Sequence, residues 1–256
     1  MNIFDPAFER YQIFDSYACR RNKGTHRAVL RAFHFAKSSA YFLKMDVRAY
    51  FNSIDHTILK ELLKKIIEDK KALRLFSTVI DSYGSDTGLP IGNLTSQYFA
   101  NQYLALCDHY AKEVAGTRKY IRYMDDILVF SQDKTFLKEL YGTLVSYACG
   151  RLKLTLKPAV IASTHSGAPF LGFLVKQNGV YLLRKTKERY KAGLSEIEHN
   201  RREGILTEAE AGMRMEAVSS HLYLARSRIF RNKQIEGRLP GLCTARYTRG
   251  FPPARE

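Results

Sequence analysis

The sequence predicts an α+β fold, a small antiparallel sheet backed by helices. Three observations carry this expectation. Short runs rich in β-branched and aromatic residues, YFLKMDVRAYF, YIRY and ILVF, suit buried strands. Segments such as HTILKELLKKII repeat apolar residues at helical spacing. Strand-like and helix-like segments alternate through the middle of the chain, which favours mixed packing around one sheet.

Near the amino end, DSYACRRNKGTHRAVLRAF reads as a candidate strand, a basic loop containing Gly24, and a helix starting at about Thr25. YFLKMDVRAYF follows as a strand that carries Asp46. In the next helix Ile58, Leu59, Leu62, Leu63, Ile66 and Ile67 form one stripe, Asp55 is placed as N-cap, and Lys60, Lys64 and Lys65 face outward. A second apolar segment, LRLFSTVIDSY, leads to the turn-rich SDTGLPIGN, and TSQYFANQYLALCDHYAKEV reads as another helix. YIRY and ILVF then form a β-hairpin around Met124-Asp125-Asp126, FLKELYGTLVSYACGRL a helix behind the sheet, and PFLGFLVKQNGVYLL a second hairpin turning at Asn178-Gly179. Beyond about Leu183 the texture changes to charged helical sequence, with Thr207 and Glu210 set as a capping box. The tail, residues 237–256, has Pro, Gly and Arg without periodicity and is expected to be mobile.

Composition narrows the partner. Lys and Arg number 41 against 25 Asp and Glu, a formal net charge of +16, which favours a polyanion such as nucleic acid. No long apolar run exists and MNIFDPAFER lacks a signal-peptide core, so a membrane partner is not expected and a cytoplasmic location is. Cys19, Cys107, Cys149 and Cys243 lack CxxC spacing, which points to reduced thiols rather than zinc or disulfides.

The chemistry concentrates at Asp125-Asp126, two adjacent carboxylates flanked by strand-forming residues. Burying one unpaired charge costs several kcal/mol or shifts its pKa, and a bound cation would offset that cost. A sheet can bring Asp46 to the pair. Carboxylates suit Mg²⁺, and two such ions can serve an in-line phosphoryl displacement. The alternative is that Asp-Asp is ordinary hairpin-turn chemistry.

The order of the motifs then becomes specific. KMDVRAYF, GLPIGNLTSQYFANQYL, YMDD, LKLTLKP and PFLGF, from Lys44 to about Val175, resemble the successive palm motifs of reverse transcriptases. The resemblance implies a right-hand polymerase with partial fingers and palm over 1–183 and a helical thumb over 184–236. It implies an RNA-directed DNA polymerase that uses two Mg²⁺ ions, an RNA template, a DNA or RNA primer and dNTPs. Asp46, Asp125 and Asp126 match its catalytic metal ligands, Tyr50 its steric gate against a ribose 2′-hydroxyl, and Phe170, Leu171 and Gly172 its primer grip. Ile91 and Gly92 would line the nucleotide pocket. Arg20 and Lys23 suit triphosphate oxygens, with a solvated charge run as the alternative.

The chain departs from the family pattern at three places. Ile91-Gly92 stands where most members carry Gln-Gly, and Gln97 replaces the usual Pro after Ser96. Losing one hydrogen bond at Ile91 weakens nucleotide positioning by roughly 0.5–1.5 kcal/mol, up to about tenfold in selection. With ACRRNKGTH upstream, the altered pattern resembles the bacterial reverse transcriptases of diversity-generating retroelements, which copy adenines inaccurately and work with a small basic accessory protein. The fourth motif leaves the general acid unassigned, with Ile161 where a basic proton donor is expected. Only some 45 residues precede Asp46, fewer than the family's usual fingers region. Alternatives are an intron-encoded or phage-defence reverse transcriptase, or a truncated nucleic-acid-binding protein that does not polymerise.

Overall fold

The computed structural model describes residues 3–239, which divide into two compact units meeting at Thr164/His165. Of the tail expected over 237–256, Gly237 and Arg238 still belong to a helix, and 240–256 lie outside the described residues.

The first unit begins with α1 (Asp5–Tyr11), whose first turn holds Pro6, and α2 (Thr25–Lys37). Strand β1 (Tyr41–Asp46) runs into a 3₁₀ turn, Tyr50–Ser53, and helices α3 (His56–Ile66) and α4 (Lys70–Asp81) follow. Helix α5 (Leu94–His109) continues through a π-helical turn, Tyr110–Val114. The hairpin β2 (Tyr120–Tyr123) and β3 (Asp126–Ser131), helix α6 (Lys134–Leu152) and β4 (Val160–Ser163) complete it. Three helices start on aspartate caps: Asp55 accepts from Ile58 N at 3.0 Å, Asp69 from Lys71 N at 2.8 Å and Asp133 from Thr135 N at 2.7 Å.

The strands form one antiparallel sheet in the order β2-β3-β1-β4. Alternate residues point to opposite faces, and both faces are covered, which is why these strands read as nearly continuous apolar runs. Leu43, Met45, Ile127 and Val129 join a core with Phe99, Tyr103 and Leu104 of α5 and Leu137, Leu140 and Leu144 of α6. Phe42, Leu128 and Phe130, of the opposite parity and equally buried, lie on the face that α2 covers with Ala28, Val29, Ala32 and Phe35. Small residues let α2 approach closely.

A buried ion pair ties this unit together. Arg122 of β2 is fully buried, and its Nε donates to Asp108 of α5 at 2.7 and 2.8 Å. Its Nη1 donates to Asn101 Oδ1 (2.8 Å) and to the Met124 carbonyl (3.1 Å), and its Nη2 to Gln12 Oε1 and the Asn101 carbonyl, both at 3.1 Å. All the donors of a guanidinium are thereby used. Burial opposes the charge of Arg122, but Asp108 more than offsets it and holds the group firmly protonated.

The second unit opens with a meander of β5 (Ala168–Phe170), β6 (Phe173–Lys176) and β7 (Gly179–Leu182). The expected single hairpin is therefore two. Lys176 pairs with Gly179, so the later turn is Gln177-Asn178 rather than Asn178-Gly179. The earlier turn is Leu171-Gly172, both left-handed at φ 50° and 88°, the two-residue turn that matches strand twist. Helices α7 (Arg184–Arg202), α8 (Glu208–Ser220) and α9 (Arg228–Arg238) follow, with a 3₁₀ turn at His221–Leu224. The capping box at Thr207 and Glu210 is formed. One helix expected through Phe230 is divided instead, because Arg226 N donates to the Val180 carbonyl of β7 at 2.8 Å and draws the chain out of helical geometry.

Removing one partner of a buried pair leaves an uncompensated charge, which costs about 3–5 kcal/mol. Asp108→Asn is expected to lower the free energy of unfolding in urea by about that amount. A change below about 1 kcal/mol, the level of a solvent-exposed pair, would contradict this account.

Candidate active site

The three aspartates singled out in the sequence converge at one end of the first unit's sheet. Asp46 ends β1 and pairs in register with Asp126, the first residue of β3, while Asp125 occupies the turn between β2 and β3. The turn is tight because Tyr123 pairs with Asp126, leaving Met124-Asp125 to reverse the chain. Met124 is left-handed at φ 53°, a conformation costing a non-glycine residue of order 1–2 kcal/mol. Its carbonyl accepts from Arg122, so the buried network holds the strained turn from behind.

Like charges gather here at an electrostatic cost. Burial pushes the Asp126 carboxyl up to about 6, with Lys44 opposing and Asp46 and Asp125 adding to the rise. Burial also raises Asp125, and Asp46 contributes in the same direction. Lys44 Nζ lies 3.3 Å from Asp126 Oδ2 on the same sheet face, and Lys157 Nζ lies 3.0 Å from both oxygens of Asp46. Even so, Oδ1 of Asp126 is shielded from solvent and makes no hydrogen bond, and Oδ1 of Asp46, equally shielded, has only its ion-pair contact with Lys157.

Among the described residues no three His, Cys, Asp or Glu side chains stand close enough together to hold a metal ion as they are arranged. The donor set nevertheless fits a hard divalent cation: carboxylate oxygens only, one of them, Asp126 Oδ1, shielded and without a partner, in a cluster whose charge needs neutralising. Lys44 and Lys157 were not foreseen as site residues. Lys44 was readable, since it lies two residues from Asp46 and so on the same face of the strand, whereas Lys157 meets Asp46 only through tertiary pairing.

The other expected residues are distributed differently. Tyr50 is 3% exposed and donates its hydroxyl to the Ala100 carbonyl of α5, with its ring edge-on to Phe51. Enclosed in this way, its ring and hydroxyl are packed into the core rather than presented at the surface. Ile91 is 78% exposed, and Gly92 takes φ 97° beside it. Their loop is anchored where Gly88 N donates to the Ile54 carbonyl and Leu89 N to the Phe51 carbonyl, each at 2.8 Å. A Cβ at Gly88 would lie 3.3 Å from the Asn52 carbonyl, and φ is 98°, so this position requires glycine. Gln97 accepts from the Cys19 thiol at 3.1 Å, joining two of the unusual segments.

Arg20 and Lys23 are committed to the fold. The Arg20 guanidinium pairs with Glu9 at 2.9 Å and donates to the Ile13 and Ser16 carbonyls; Lys23 donates to the Phe14 carbonyl at 2.7 Å and covers the Phe14 ring at 3.6 Å. Asp55 serves as the cap and pairs with Lys153 at 2.7 Å. Phe170, Leu171 and Gly172 form the first turn of the second unit's meander.

A sequence model of the reverse transcriptase (RNA-dependent DNA polymerase) family matches residues 7–175, well over half of the chain, and the chain belongs to that family. Two fungal proteins are similar in sequence. The COX1/OXI3 intron 1 protein of Saccharomyces cerevisiae is 26% identical over 120 residues, covering 43% of this chain and 14% of its own length. A 91 kDa protein in the cob intron of Schizosaccharomyces pombe is 26% identical over 126 residues, 46% of this chain and 15% of its own. The matched part thus spans about a seventh of these relatives.

Among solved structures, telomerase from Candida albicans aligns with a TM-score of 0.58 at 10% identity, over 93% of this chain and 47% of that one. Telomerase from Candida tropicalis, in complex with a fragment of telomeric RNA, aligns with a TM-score of 0.58 at 12% identity, over 98% and 51%. At that identity the likeness is one of fold. No helix among the described residues is long and apolar enough to cross a membrane.

Because the Asp126 carboxyl lies above the 3.8 of an ordinary aspartate, the folded state holds its proton more tightly than the unfolded one. This group favours folding most below about pH 4, and the benefit is lost as pH rises through about 6. In metal-free protein, Asp126→Asn is therefore expected to raise stability at pH 7 by up to about 3 kcal/mol, with the gain shrinking towards pH 4. Thermal unfolding across that range checks it, and a gain independent of pH would contradict it.

Proposed function

We propose that this chain is an RNA-directed DNA polymerase that extends a primer 3′-hydroxyl with dNTPs, with Asp46, Asp125 and Asp126 as its catalytic carboxylates. The observation that carries this reading is the convergence of the three at one sheet end, with a shielded, unpartnered oxygen on Asp126. When bound there, a pair of Mg²⁺ ions would supply activation of the attacking hydroxyl and stabilisation of the leaving oxygen. The chain's part is to aim the ligands: β1 and β3 hold Asp46 and Asp126 in register, and Arg122 holds the turn carrying Asp125. Lys44 and Lys157 must yield the carboxylates on loading. Residues 1–183 would act as partial fingers and palm and the helices over 184–236 as thumb, with the Phe170-Leu171-Gly172 turn gripping the primer. Tyr50 would check the sugar once its hydroxyl is released from the Ala100 carbonyl.

Exposed Ile91 supports a further refinement, error-prone copying as in a bacterial diversity-generating retroelement, with a small basic accessory protein as partner. It offers apolar surface where most family members carry an amide. A second reading is an intron-encoded enzyme, favoured by the intron setting of both similar fungal proteins. A template repeat and a variable repeat beside the gene would separate the two.

Primer extension on matched RNA and DNA templates with Mg²⁺ tests the activity. Extension on RNA is expected, lost by more than about a hundredfold in Asp125→Asn/Asp126→Asn, the scale of removing a group used only in the transition state. Salt-sensitive binding without extension would indicate a binding protein instead. Mg²⁺ is also expected to raise the melting temperature of the wild type but not of Asp46→Asn/Asp125→Asn. On an extending enzyme, Ile91→Gln should improve adenine fidelity by up to about tenfold, and an unchanged error spectrum would remove the mutagenic reading.

A further inference from the structure

Helix α2 has one face in the core and another with no acidic residue on it. Its sequence, THRAVLRAFHFAK, contains no Asp or Glu at all. Arg27, Leu30, Arg31, His34 and Lys37 recur at the three- and four-residue spacing that lines up one stripe, and Arg27, Leu30, His34 and Lys37 are exposed. Ten residues of helix separate Arg27 from Lys37, about 15 Å at 1.5 Å per residue. The cations have few carboxylate partners: Arg31 shares the buried Asp15 with Lys112, while Arg27 donates to the Asn22 carbonyl and Lys37 rests on the Phe33 ring.

Beside this stripe stands an exposed aromatic ring. Phe14 is 69% exposed, with Lys23 Nζ 3.6 Å and the Arg31 guanidinium carbon 5.6 Å from its centroid. An exposed phenyl flanked by cations combines the two elements that single-stranded nucleic acid uses: a stacking platform and a positive track for the backbone.

The stripe also starts at the catalytic end of the sheet. Thr25, the first residue of α2, donates to the Tyr123 hydroxyl at 3.3 Å. Tyr123 is the register partner of Asp126, so both lie on the face that α2 covers.

We propose that the outer stripe of α2, with Phe14, is a binding track for single-stranded RNA that runs away from the catalytic turn. Phosphates lie along Arg27, Arg31 and Lys37, and a base stacks on Phe14. This rests on the polymerase reading in taking the bound strand as template, but the contact itself requires no catalysis.

The test is fluorescence anisotropy of a labelled oligouridylate with the full chain, without Mg²⁺ or dNTPs, across a series of salt concentrations. Arg27→Glu/Lys37→Glu is expected to weaken binding by at least about tenfold and to lower the slope of log affinity against log salt by about 1.4, two single-strand phosphate contacts. Phe14→Ala is expected to weaken binding by about tenfold with the slope unchanged. The control Lys64→Glu/Lys65→Glu reverses two exposed charges on α3, changes net charge equally, and should leave the slope in place. Circular dichroism establishes that each variant is folded. If reversal on α2 does no more than reversal on α3, the track is overturned; it is equally overturned if the loss appears on blunt RNA duplex and not on the single strand. Because no polymerisation is measured, failure of primer extension would sink the polymerase reading and leave this result standing.

Discussion

The first unit depends on the buried pair of Arg122 and Asp108. A guanidinium taken wholly out of water is tolerable only with every donor matched, and here the acceptors come from α1's end, α5 and the turn after β2. That requirement fixes three elements relative to one strand. The same guanidinium that orders the core reaches the Met124 carbonyl, so core packing and the geometry of the acidic turn are one problem with one solution.

The acidic end of the sheet is the reverse case, a place where the fold accepts cost. A left-handed Met124, carboxylates whose burial raises their proton affinity, and a shielded Asp126 oxygen without a hydrogen bond all work against the isolated chain. Such conflicts concentrate where a protein binds something that resolves them. Lys44 and Lys157 offset part of the repulsion, and each is at least partly solvated, so each can be displaced at modest cost.

One departure from the family pattern, Gln97, packs against the segment upstream of α2. Gln97 meets the Cys19 thiol, which sets the basic loop before α2 against the start of α5, beyond the loop carrying Ile91 and Gly92. Cys19 itself is left-handed at φ 51°. Arg20 and Lys23 are drawn into that packing, which is why a run of basic residues in the sequence becomes scaffold in the fold while the exposed cations stand further along α2.

Much was legible from the residues alone. The strand at Asp46, the hairpin at the YMDD segment, the helix from Thr25, the Asp55 cap and the Thr207/Glu210 box rest on periodicity and capping, which act over a few residues, whereas the assignment of Asp126 to β3 rather than to the turn came only with the structure. The order of the motifs carried the family. What tertiary structure decided lies in contacts between distant residues: Lys157 on Asp46 is 111 positions away, Gln12 on Arg122 is 110. β4 was missed because half-exposed VIAS has weak alternation and becomes a strand only by pairing with β1. The same holds for Arg226, whose backbone bond to β7 ends a helix that local propensity would continue. Local sequence therefore determined most of the helices and strands and where acid and base chemistry sit along the chain. Only folding decided which charges are paired, buried or left open to a ligand, because burial and Coulombic contact depend on neighbours that sequence distance does not reveal.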